Sequence, residues 1–149
     1  MKKLFSENLI SFLFRIIATI LVIIPVIYTV GRMSIIPEYK KTLVFILLAV
    51  LTEILTIIFD RKFWCDFIHV AGAVFMALAF ASFLSGGVLS IADYIAGINL
   101  FGDATQVPAI VTYSIILFCG MLLSIVDCFV YKGAPKPLKN QIKIIKEKE

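Results

Sequence analysis

Residues 63–89 read FWCDFIHVAGAVFMALAFASFLSGGVL, a run in which Asp66 alone is charged at pH 7, with one histidine, His69. An α-helix crosses the hydrocarbon of a bilayer with about 20 apolar residues. This run is longer than that. Lipid offers backbone N–H and C=O groups no partners, so a lone spanning segment satisfies them only as a helix.

Working outward from this run, comparable stretches occupy 9–30, 42–59 and 107–131. The chain is 61% hydrophobic and only 16% charged. Soluble domains run at about 45–50% apolar and about 25% charged. The sequence therefore predicts an all-α integral membrane protein, a four-transmembrane-helix antiparallel bundle over residues 1–131 followed by a polybasic cytoplasmic tail, 132–149. The first stretch begins after Lys2 and Lys3, as a secretory signal would. Its apolar run exceeds the usual length of about 7–15 residues, it contains Arg15, and no small-x-small site follows, so it reads as a span. Pro25 is expected to kink it. Residues 89–101 are too apolar for an ordinary loop and either extend the third helix or lie in the interface.

Positive residues near span ends favour the cytoplasm. Lys2, Lys3, Arg61, Lys62 and the lysines from Lys132 to Lys148 would share one face. Arg32, Lys40 and Lys41 oppose them, in a single loop. Both termini are thus expected inside, at the cytoplasmic (plasma) membrane. Trp64 and Tyr131 would sit at the inner boundary, Tyr28 and Tyr113 nearer the outer one, as an aromatic belt.

Within that frame five ionisable residues fall in the cytoplasmic half: Arg15, Glu53, Asp66, His69 and Asp127. Each helix supplies at least one. Charges at mid-bilayer cost about 2.5–3.5 kcal/mol on insertion scales, so such residues face the bundle interior or pair. Arg15 with Glu53 or Asp127 would pair at matched depth, and His69 beside Asp66 places an imidazole, which titrates near neutral pH, in the same layer. Two readings stand: an ion or ligand pocket, or charges that only brace the helices or snorkel to the interface. Ala73, Ala77, Ala81 and Ser85 repeat at steps of four, a small-residue stripe expected to pack against another helix.

Elsewhere the signals are weaker. Asp93 and Asp103 flank the outer connection, where they are either an acid/base pair or solvated loop charges. Gly86-Gly87 and Gly97 lack a phosphate-loop pattern and read as sites of bending or close packing. Cys65, Cys119 and Cys128 form no CxxC and no metal-ligand spacing, so no metal, cofactor or catalytic residue is expected. In the tail, Leu138, Ile142 and Ile145 recur at helical spacing, and Lys136, Lys139, Lys143 and Lys146 would meet anionic lipid headgroups. Basic residues are not interleaved with aromatics on a polar surface, so nucleic acid is not an expected partner.

Small multidrug-resistance carriers place a carboxylate in the first span, where this chain has Arg15, and the paired cysteines of quinone-linked thiol oxidoreductases are absent. Ile91-Ala92-Asp93 echoes lipoprotein signal peptidases, but their asparagine-bearing motifs are missing. The sequence therefore points to a small polytopic membrane protein, a transport protein or a transporter- or channel-like subunit. It is expected to carry its charged pocket in the cytoplasmic half and to form a homo-oligomer or join a larger membrane partner. The alternatives are a non-catalytic accessory or scaffold subunit, and a small intramembrane enzyme using the outer carboxylates.

Overall fold

A computed structural model describes residues 9–58 and 65–130, with the side chains of 9, 10, 57, 58, 65 and 66 excepted. Lys2, Lys3, Asp60, Arg61, Lys62, Trp64, Tyr131, the tail lysines and the Asp66 side chain lie outside the described residues. So do the expectations that rest on them.

The described residues form four α-helices and no strand: α1, Leu9–Arg32; α2, Glu38–Ile58; α3, Cys65–Ala96; and α4, Val107–Val130. Three of them, α1, α3 and α4, are long and apolar enough to cross a membrane. The second, α2, is shorter and opens with Glu38, Lys40 and Lys41, with Glu53 further on. Its uncharged run, 42–52, is about 16 Å long at the helical rise.

Each helix packs on its neighbours in sequence, and α4 closes the ring against α1. Contacts at both ends fix the directions as antiparallel. Arg15 of α1 meets Asp127 of α4 at one end, and Tyr28 meets Tyr113 at the other with ring centroids 4.7 Å apart. Likewise Tyr39 of α2 stacks on Phe83 of α3 at 5.2 Å.

The connections explain where the helices stop. Ile35 and Ile36 donate their N–H groups to the Arg32 carbonyl, both at 3.0 Å, and Pro37 precedes the first residue of α2. The run 89–101 divides: α3 continues to Ala96, then Gly97 adopts a left-handed φ of +66°. The Ile98 N–H bonds the Asp93 carbonyl at 3.0 Å and the Gly97 N–H that of Tyr94 at 3.3 Å, a Schellman motif. Without a Cβ, Gly97 takes this conformation at no steric cost. A short 3-10 turn, Ala104–Gln106, leads into α4.

Polarity is distributed the opposite way from a water-soluble bundle. Outward positions carry Ile20, Ile27, Leu47, Val74, Ile115 and Phe129, all exposed. Buried positions include Ser11, Arg15, Thr29, Thr42, Glu53, Thr56, His69, Asp93, Ser114 and Asp127. Several hydroxyls bond within their own helix, as Thr42 to the Glu38 carbonyl, Thr56 to that of Thr52 and Ser114 to that of Ile110. Midway along the bundle the interior is apolar: Ala18, Val22, Ile46, Met76, Ala79 and Leu117 pack together. Pro25 lies buried inside α1.

Candidate functional site: a charged cluster shared by four helices

Arg15, Glu53, His69 and Asp127 come from α1, α2, α3 and α4 and meet at one end of the bundle. Asp127 is the hub. Its Oδ2 accepts a hydrogen bond from Arg15 Nε at 2.9 Å and lies 2.7 Å from His69 Nε2. Arg15 Nε is also 3.8 Å from Glu53 Oε2, and Arg15 Nη2 donates to Ser11 Oγ at 3.2 Å. All four residues are buried.

Counting explains the meeting. Arg15 and Glu53 sit at matched depth on antiparallel helices, as do His69 and Asp127, and each faces inward on its own helix. Cys128 stands beside the cluster, its thiol donating to the Ser124 carbonyl at 3.3 Å.

With His69 neutral, the four side chains sum to one negative charge: one guanidinium against two carboxylates. A single added proton balances them. In a low-dielectric interior a balanced set is favoured over one carrying net charge. Among the described residues Glu53 Oε2 is buried and accepts no hydrogen bond. Glu53, His69 and Asp127 each offer one donor atom within 4.8 Å of the others, a set that could hold a metal ion. Arg15 opposes that use, because its fixed positive charge already contacts Asp127 and lies beside Glu53.

No family model, curated protein or solved structure matches this chain.

The remaining sequence-derived residues fall elsewhere. Asp66 is the second residue of α3, one turn before His69. Of the small-residue stripe, Ala73 is buried, Ala77 half-buried, and Ala81 and Ser85 exposed. Four residues turn a helix through 400°, so each step of four rotates the stripe by about 40°. The buried line of α3 instead runs through Ala73, Met76, Ala79, Phe83 and Ser90. Gly86 and Gly87 lie where neighbouring helices come close: a Cβ on Gly86 would stand 2.6 Å from the Tyr39 ring, and one on Gly87 2.6 Å from Ile110 Cγ2.

Asp93 and Asp103 do not form a free acid/base pair. Asp93 is buried, and its Oδ2 accepts the N–H groups of Leu100, Phe101 and Gly102, each at 2.8 Å. That carboxylate organises the loop. Asp103 Oδ1 accepts from the Thr105 hydroxyl at 2.5 Å and the Thr105 N–H at 3.1 Å, and these bonds hold its carboxyl below the ordinary value.

One feature of this far end escapes a reading of the sequence: a cleft of about 570 Å³ walled by Arg32, Glu38, Ser90, Leu100, Phe101 and Asp103 among others. Arg32 reads in the sequence only as a positive charge on the wrong side. The depth-counting that groups Arg15 with Asp127 also groups Arg32, Glu38 and Asp103, and that was the available signal.

Proposed function

We propose that this chain is a small polytopic membrane transport protein whose buried cluster, Arg15, Glu53, His69 and Asp127, takes up one proton per copy. All four helices cross the bilayer, and the cluster and both termini lie on the cytoplasmic side. The observation that carries the reading is the meeting of one guanidinium with two carboxylates and an imidazole from four helices, with Glu53 Oε2 buried and lacking a hydrogen bond. Intramembrane ionisable groups of this kind mark proton and ion paths.

The layout supports transport. A polar cluster at one end and a cleft bearing Arg32, Glu38 and Asp103 at the other are separated by the apolar layer of Val22, Ile46, Met76 and Leu117. A protein that binds at either end and opens one at a time needs that arrangement. The sidedness rests on the ten basic residues of the N-terminus, positions 61 and 62 and the tail, against Arg32, Lys40 and Lys41 at the facing ends of α1 and α2.

A second reading has its own observation. Arg15 contacts carboxylates on two other helices, so the cluster also braces the bundle, as an accessory subunit of a larger complex would require. Proteoliposomes enclosing a pH-sensitive dye separate the two. Transport predicts a saturable proton flux after a pH jump, lost in Glu53→Gln. A flux no greater than that of empty liposomes rejects transport and leaves the bracing role.

A further inference from the structure

The far-end cleft differs in kind from the charged cluster, because its charges have both signs and, among the described residues, none lies within ion-pair distance of another, although the Arg32 charge acts on Asp103. Arg32, in the last turn of α1, and Glu38, in the first turn of α2, both line it. Among the described residues neither forms an ion pair. Asp103 adds a second carboxylate, with Oδ1 engaged by Thr105. The apolar wall is unusual in being open. Leu100 and Phe101 line the cleft and yet are each 73% exposed, and Ile35 is 69% exposed. The cleft thus carries an exposed apolar rim beside its charges.

Position adds a further constraint. Arg32 is about 25 Å along α1 from Arg15 at the helical rise, close to the thickness of bilayer hydrocarbon. A cleft at that level, with charges of both signs and an exposed apolar rim, matches an amphiphile held in the leaflet. A soluble zwitterion would not require the exposed apolar rim. The volume falls within the range of about 300–1,000 Å³ common to ligand sites.

We infer that this cleft holds the headgroup of a zwitterionic aminophospholipid, with its phosphate on Arg32, its ammonium on Glu38 and an acyl chain against Leu100 and Phe101. A guanidinium presents a planar fork of donors suited to phosphate. A primary ammonium donates hydrogen bonds to a carboxylate, which a quaternary choline cannot do and a glycerol headgroup does without charge. An ethanolamine headgroup satisfies both Arg32 and Glu38. The inference rests on the membrane-spanning part of the reading above and is independent of proton uptake.

The test is native mass spectrometry of the purified full-length protein, titrated with dioleoyl phosphatidylethanolamine, phosphatidylcholine and phosphatidylglycerol. The ethanolamine lipid should bind about tenfold more tightly than either of the others. Glu38→Gln should erase its preference over phosphatidylglycerol, and Arg32→Gln should weaken all three. The wild-type comparison needs no variant, so a poorly folded variant does not blur the result. Equal binding of the three lipids by a chain that floats with liposomes overturns this inference alone. Displacement of the bound ethanolamine lipid by free leucine also overturns it, and assigns the cleft to a soluble zwitterion. A chain that does not float overturns the membrane reading and this inference together.

Discussion

His69 Nε2 lies 2.7 Å from Asp127 Oδ2, the same oxygen that accepts from Arg15 Nε at 2.9 Å. One carboxylate oxygen, 1% exposed as a residue, thus joins three helices, α1, α3 and α4. Arg15 extends the set to Glu53 on α2.

Removing the one cation should be more damaging than removing it together with its nearer carboxylate. Arg15→Leu leaves Asp127 and Glu53 buried with no guanidinium between them, and breaking a buried pair on one side costs about 3–5 kcal/mol. An Arg15→Leu, Asp127→Leu double variant removes both charges of the shorter pair and should lose less. Unfolding in mixed micelles checks the order, and a double variant less stable than Arg15→Leu would contradict it.

The far-end loop should depend on one carboxylate. Asp93→Ala deprives the Leu100, Phe101 and Gly102 N–H groups of their common acceptor. Hydrogen exchange at those three amides should accelerate at least tenfold, the equivalent of about 1.4 kcal/mol, while amides near Asp127 stay protected. Unchanged protection at residues 100–102 would refute the loop-organising role.

How much of this is legible in the sequence follows from geometry. Apolar length alone identified four helical stretches, because lipid leaves the backbone no other choice. Depth was legible too. Translation along a helix is simple counting, which is why Arg15, Glu53, His69 and Asp127 could be grouped from sequence, together with Asp66, whose side chain lies outside the described residues. Rotation was not. The Ala73 to Ser85 stripe turns away from the interior by Ala81, while large residues such as Met76 and Phe83 hold the buried line. The Asp93 cradle was invisible because its partners are backbone amides, which every residue carries.

Close packing makes a pair of opposite predictions for glycines. Gly87→Ala puts a Cβ 2.6 Å from Ile110 Cγ2 and should destabilise by about 1–3 kcal/mol. Gly31→Ala meets nothing within 4 Å inside α1 and should stabilise by about 0.5–1 kcal/mol. Thermal unfolding of the two variants in one detergent gives the signs; both moving the same way would argue against this packing.

Asp103 gives the loop a pH dependence whose sign is fixed. Its folded carboxyl titrates below the ordinary value because Thr105 donates to it twice. The stabilisation is present above the unfolded value and is lost as pH falls through the folded one. Protection of the Thr105 amide, corrected for intrinsic exchange, should therefore decline on acidification below the ordinary carboxylate range. Asp103→Asn should flatten that decline, and an equally steep decline in the variant would rule Asp103 out as its source.

The central claim is that the four-helix cluster binds one proton. Potentiometric titration of the purified protein in lipid, wild type against Glu53→Gln and His69→Gln, counts those protons directly. The account predicts that one of the two variants takes up one proton fewer per chain between mildly alkaline and mildly acidic pH, with the fold intact by circular dichroism. Superimposable titration curves for all three proteins would contradict it and leave the cluster as internal bracing.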